Sequence, residues 1–256
     1  MSVLTAPVGA SAPRTISGPA RITRVVRLHY VNWLTSVVLP WGILMLILGV
    51  NLVIWYLIRA GTGETNLDQS TQYTGSIFYL LVYQAILAIV LMSTTFTYSL
   101  SLSSTRRDYY LGTALMFVVH SAMFTAGFLL LSYLEQWTHG WGVGGHMFQT
   151  IYFGTGPLWQ RAFTFYFAML GTMFLGSIFG AVYVRWRAAG LYVVGAVFLL
   201  AVLAAGTVIV RTRSWEAVGA WFQANGSLGV VAWSIPLAAV CAVVAYLGLR
   251  RAVPRA

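Results

Sequence analysis

No lysine occurs among the 256 residues; all fifteen basic side chains are arginine. That absence excludes specific chemistry. A phosphate-binding P-loop needs a lysine to reach the β- and γ-phosphates, and a Schiff-base enzyme needs one as its nucleophile. This chain can build neither. Charge of either sign is scarce, at 8% of residues with only five acids, whereas soluble domains carry about 25% charged residues. There is too little charge to coat a water-facing surface. The apolar residues, 59% of the chain, are therefore expected to face lipid. The one cysteine, Cys241, can form no intrachain disulfide and no cysteine-based zinc site, and reads as a small buried hydrophobe. The net charge of +10 could suggest nucleic acid. The arginines sit at the ends of apolar runs, however, and read as membrane anchors, so no nucleic-acid partner is expected.

What is present is a series of apolar runs. A spanning helix needs about 20 mostly apolar residues to cross about 30 Å of hydrocarbon. Six stretches qualify: 35–58, 75–102, 112–134, 162–184, 189–210 and 228–249. The fold class expected is all-α, a polytopic membrane protein with six transmembrane helices in one domain, 19–256. With a cytoplasmic N-terminus, eleven arginines fall on inside segments and four (Arg59, Arg161, Arg211 and Arg213) outside. Glu64, Asp68, Glu135 and Glu216 lie outside and only Asp108 inside. The positive-inside rule then places both termini in the cytoplasm. Losing or gaining one span would spoil this alternation. The first sixteen residues hold no apolar core of signal-peptide length, so N-terminal cleavage is not expected and 1–18 reads as a disordered cytoplasmic tail.

Ahead of the first span, Ser17, Gly18 and Pro19 mark a helix start. From 19 to 33 the pattern is amphipathic. At 100° per residue, Ile22, Val25, Val26, His29 and Trp33 share one face, and Arg21, Arg24 and Arg27 the opposite one. Such a helix suits the headgroup layer; the plainer alternative is an extension of the first span. Inside loops are short (105–111 and 185–188). Outside loops are longer: 135–161 is rich in glycine and aromatics, and in 211–226 the spacing of Trp215, Val218 and Phe222 permits a short interfacial helix.

The most distinctive stretch is the inside segment Ser103-Ser104-Thr105-Arg106-Arg107-Asp108-Tyr109-Tyr110-Leu111-Gly112. Two stop-transfer arginines and a turn account for Arg106 and Arg107, but not for Asp108 and the tyrosines. A charged pair, an acid and aromatics on a tight connection suit a docking knob, because Tyr and Arg are favoured at binding hot spots. With a basic amphipathic helix before it, six spans around it and a helical outer loop before the last span, this stretch resembles the membrane subunit of bacterial ATP-binding-cassette exporters of the type 2 permease class. The arginine-only composition also resembles proteins of GC-rich bacteria. The resemblance runs from about Pro19 to Arg251, and the outer region between spans three and four is larger and more aromatic than a minimal permease would have.

What the resemblance implies is specific. Two permease subunits, identical or related, would pair in the inner membrane, each bound to a cytoplasmic ATPase subunit. ATP and Mg2+ would sit on that ATPase, with no cofactor in this chain. The coupling segment 103–112 and the connecting helix would touch the ATPase through Arg21, Arg24, Arg27, Arg106, Arg107, Asp108, Tyr109 and Tyr110. Spans two and five would line the route between the halves. Among polar residues within spans, Gln84, Thr95, Ser99 and His120 are candidates for the translocation path. Hydroxyls can bond back to their own helix, and one interhelical hydrogen bond would satisfy His120, yet intramembrane polar and ionisable groups default to function. His139 and His146 have only Glu135 as a nearby acid, too few ligands for a metal, and no metal is expected. The alternatives to a motor-driven permease are a self-contained channel or secondary transporter and an intramembrane enzyme. The former usually carries intramembrane charges or an internal repeat; the latter needs clustered catalytic side chains. Neither pattern is visible, and the chain is not expected to be an enzyme.

Overall fold

A computed structural model describes residues 18–63, 71, 73, 75–101, 105–153 and 156–250. Among them the regular structure is entirely helical, and five helices are long and apolar enough to cross a membrane. The expected disordered tail, apart from Gly18, and residues 103 and 104 of the expected coupling loop lie outside the described residues.

Helix α1 (Gly18–His29) begins where the Gly-Pro pair predicts. Its buried residues are Val25 and His29, and Arg24 and Arg27 are exposed. The apolar face lies against the start of α4 (Arg106–Trp137) of the same chain, where Gly112 has no side chain. A Cβ at Gly112 would stand 2.6 Å from Val25 Cβ and 3.0 Å from the Ile22 carbonyl oxygen. Trp33, expected on the apolar face, is 62% exposed. The cause is local: α1 ends at His29, and a turn closed by Tyr30 N–H to the Arg27 carbonyl (3.1 Å) resets the helical phase before Trp33. A π-helical turn, Leu34–Val38, then feeds α2 (Leu39–Thr62), which carries Pro40 in its first turn. Only Pro40, Leu44, Leu48 and Trp55 of α2 are buried. Two glycines admit its tryptophans: the Trp41 ring lies against Gly127 and the Trp55 ring against Gly145.

After α3 (Phe78–Ser101), α4 starts earlier than its apolar run suggests. Thr105, in extended conformation, accepts a 3.1 Å hydrogen bond from Asp108 N–H. This Thr-x-x-Asp cap satisfies an otherwise free amide and sets an acid at the positive helix end. The segment expected as a loop, 105–112, is therefore the cap and first turns of α4.

Helix α5 (Leu158–Arg211) has 54 residues. Straight, it would reach about 81 Å, far beyond the roughly 30 Å of a bilayer core. It is broken at Arg187, whose φ of 57° and ψ of −152° leave the helical region. Helix α6 (Trp215–Arg250) breaks the same way at Gly226, with φ 58° and ψ −173°. At both breaks the preceding residue closes on a glycine three positions beyond. A Cβ on Gly190 would lie 2.6 Å from Trp186 Cβ, and one on Gly229 would lie 2.7 Å from Asn225 Cβ. Glycine adopts this backbone readily, whereas at Arg187 it is strained. The expected inner connection 185–188 thus narrows to one non-helical residue, and Trp215, Val218 and Phe222 are helical as their spacing permits.

The core forms where α5 before its break crosses α3 and α6. Gly176 lets the α3 backbone at Ala85 come into contact, and Gly180 does the same for Met92. On the α6 side, Ala181 faces Gly248 and Gly171 faces Ala238. Small residues allow such approach where no water is present to drive helices together. Beyond the break, no residue of 188–211 is buried.

Candidate functional site

The two ends of the bundle carry different polar constructions. At the first, α1, the start of α4 and the end of α6 meet. Arg21 pairs with Asp108 at 3.6 Å, both partly exposed. Arg106 Nη1 donates to the Arg250 carbonyl at 2.7 Å. The Tyr109 hydroxyl donates to the Leu91 carbonyl at 3.1 Å, and the Tyr110 hydroxyl bonds the Ala242 carbonyl. Both tyrosines are buried, so they hold α4 against α3 and α6 and do not project as a knob. Arg24, Arg27 and Arg107 remain exposed at this corner. The expected docking residues are thus brought together, divided between internal fastening (Arg21, Arg106, Asp108, Tyr109, Tyr110) and an outward cationic face (Arg24, Arg27, Arg107).

Just inside this corner, the last residues of α1 and the turn after it hook into the core. The Thr113 hydroxyl donates to the Tyr109 carbonyl at 2.9 Å, so it accepts from His29 Nε2–H, also at 2.9 Å. That direction places a proton on Nε2, and Nδ1 stands 3.4 Å from Thr95 Oγ1. Burial pulls the imidazole down to about 4 from its ordinary 6.5. Thr95 Oγ1 also meets the Tyr109 hydroxyl at 2.9 Å. The next residue starts a second chain: Tyr30 hydroxyl to His120 Nδ1 at 3.2 Å, and His120 Nε2–H to Gln84 Oε1 at 3.0 Å.

Of the expected path residues, Gln84 and His120 are therefore bonded to each other, both fully buried within one chain. Thr95 belongs to the His29 cluster. Ser99 is buried and bonds back to the Phe96 carbonyl of its own helix at 2.9 Å. In this conformation the four face the protein interior.

The opposite end is organised by Glu135, about 44 Å from Arg106 along α4 at 1.5 Å per residue. Its carboxylate is fully buried. Oε2 accepts from Trp141 Nε1 (3.0 Å), Met147 N–H (2.9 Å) and Phe148 N–H (3.0 Å), and Oε1 accepts from Gln149 N–H at 2.9 Å. His146 Nδ1 stands 3.5 Å from Oε1. Arg59 Nη1 adds a 3.2 Å hydrogen bond to the Gly142 carbonyl. The segment 138–149 is thereby folded over the end of the bundle. Positive φ at His139, Gly140, Trp141, Gly142 and Gly144 lets the chain wrap so tightly.

No family model, curated protein or solved structure matches this chain. Sequence reasoning treated Glu135 as a topological marker and as the lone acid near His139 and His146, and the signals of its role were that proximity and its place just ahead of a glycine- and aromatic-rich loop. The pattern Gly176-x-x-x-Gly180 was legible as a close-packing signature and was missed. Among the described residues no group of three His, Cys, Asp or Glu side chains is placed to hold a metal.

Proposed function

We propose that this chain is the transmembrane subunit of an ATP-binding-cassette exporter, forming a translocation path as a dimer and powered by a separate ATPase chain. The observation that carries the reading is the cationic corner: Arg24, Arg27 and Arg107 exposed beside helices fastened to the bundle interior. Exposed charges on rigid elements suit a partner that pushes or pulls. ATP and Mg2+ would belong to that partner, since this chain has no lysine for a P-loop.

In this reading α5 counts as two spans divided at Arg187, which gives six crossings. The corner faces the cytoplasm of a bacterial cell, a placement that the arginine excess on that side supports. Both termini are cytoplasmic, and α1 lies in the inner leaflet's headgroup layer with Arg24 and Arg27 outward. The exposed 188–211 helix is available to lipid or to a second permease. Nucleotide-driven closure of the ATPase would shift α1 and α4 together and bias the path between two states, provided the contact differs between them.

Gentle extraction of the native protein should retain an ATPase subunit. Replacing Arg24, Arg27 and Arg107 together with Glu should release it while membrane insertion is unchanged. Undiminished co-purification and transport in that variant would remove the basis of the reading.

A further inference from the structure

The capped end of the bundle holds donors that have no acceptor. Arg161, in the first turns of α5, is only 9% exposed, and its Nε and Nη2 are both buried with no hydrogen-bond partner. These two nitrogens form the side edge of the guanidinium, where two N–H bonds run parallel and match the two oxygens of an oxyanion. The Thr150 hydroxyl, 1% exposed, is likewise without a partner.

The two orphans flank one contact. The Phe153 and Phe165 rings meet edge to face at 5.7 Å. Arg161 lies one helical turn before Phe165, and Thr150 lies one hydrogen-bonded turn before Phe153, through Phe153 N–H to the Thr150 carbonyl at 3.3 Å. Phe165 also stacks on Phe128 of α4 at 4.1 Å. Counting one turn away from that stack on each antiparallel helix puts Arg161 level with Ser132, one turn inside Glu135. Glu135 does not fill the fork. It comes within salt-bridge distance of His146 and not of Arg161, and both its oxygens are taken by N–H donors.

The Glu135 charge acts on Arg161 through space, but the guanidinium edge has no hydrogen-bond acceptor, and neither does the Thr150 hydroxyl one turn from the same ring contact. The geometry points to an oxyanion site at Arg161 and Thr150, occupied by a phosphate or carboxylate group when the turn 150–153, beyond the residues clamped by Glu135, lifts. The shared chemistry is a tetrahedral or planar oxyanion at the edge of the apolar bundle. It could be carried by a lipid headgroup or by a free solute. The site stands apart from the cationic corner and does not depend on the permease reading.

The test is thermal unfolding of the purified full-length chain in a neutral detergent. One arm adds inorganic phosphate, a second adds phosphatidylglycerol to the micelles, and a third adds an uncharged diacylglycerol as the lipid control. At saturation the phosphate or the phosphatidylglycerol arm should raise Tm by about 5 °C. A rise with phosphate assigns a free oxyanion, and a rise only with phosphatidylglycerol assigns a headgroup. R161M should abolish the rise without lowering the Tm of the ligand-free protein, because it removes buried donors that have no acceptor. R161K keeps the charge but not the fork, and T150V removes only the hydroxyl; both should retain the fold and weaken the response. No rise in either anion arm, an equal rise with diacylglycerol, or an undiminished rise in R161M would overturn the proposal.

Discussion

Replacing Glu135 should loosen the capped end of the bundle in a graded way. The carboxylate accepts three backbone N–H bonds, from Met147, Phe148 and Gln149, and one indole N–H bond from Trp141, all between 2.9 and 3.0 Å. Met147 and Phe148 are fully buried, so water cannot replace a lost acceptor without opening the segment. In Glu135→Ala the two buried amides lose their partner at about 1–3 kcal/mol each, and the indole and the third amide add to this, for a loss of about 4–6 kcal/mol. In Glu135→Gln the amide oxygen can occupy the Oε2 position and keep three donors. The amide nitrogen then faces Gln149 N–H, donor against donor, and charge assistance is lost, for about 2–3 kcal/mol. At about 2 °C per kcal/mol for a chain of this length, the expected order of Tm is wild type, then Glu135→Gln, then Glu135→Ala about 8–12 °C lower. Hydrogen exchange should accelerate at 147–149 before the rest of the molecule. An alanine variant with unchanged Tm and unchanged exchange at those amides would refute the keystone role.

Three further outcomes are expected. Gly176→Leu should separate α3 from α5, because even a Cβ would overlap the Ala85 backbone; the cost is at least about 2 kcal/mol, read as a lower Tm and weaker expression, with Gly195→Leu, in open space, as the tolerated control. Gly112→Val should push Val25 and α1 off α4, exposing α1 to limited proteolysis while the spanning helices stay protected. The α1 contact should weaken in mild acid: His29 is held neutral with a pKa of about 4 against 6.5 when free. Its contribution is complete above pH 6.5 and declines as pH falls toward 4, by up to about 3 kcal/mol. His29→Gln should flatten the pH dependence of α1 proteolysis, and an unchanged slope would contradict that assignment.

The sequence by itself determined that the chain is helical and apolar enough to cross a membrane repeatedly. Composition settles this because a chain with 8% charge cannot coat itself for water, and in lipid the backbone must satisfy its own hydrogen bonds. Apolar run length likewise located the helices to within a few residues. It could not see where a helix begins on a polar cap, so Thr105-x-x-Asp108 was read as loop. It placed a connection at 185–188 but could not see that this would close down to a single strained residue, Arg187.

Tertiary structure alone decided what the polar residues do. The amphipathic pattern of α1 gives a face but not its partner, and that partner for Val25 is the bare backbone of Gly112. Tyr109 and Tyr110 look like docking residues until helix phase turns them inward. Glu135 and Arg161 look alike in sequence, each a lone charge at the end of an apolar run. The fold gives one a full set of donors and leaves Nε and Nη2 of the other without an acceptor. Partners that come from distant segments are set by how helices cross and how loops return over them, and local patterning carries no record of that.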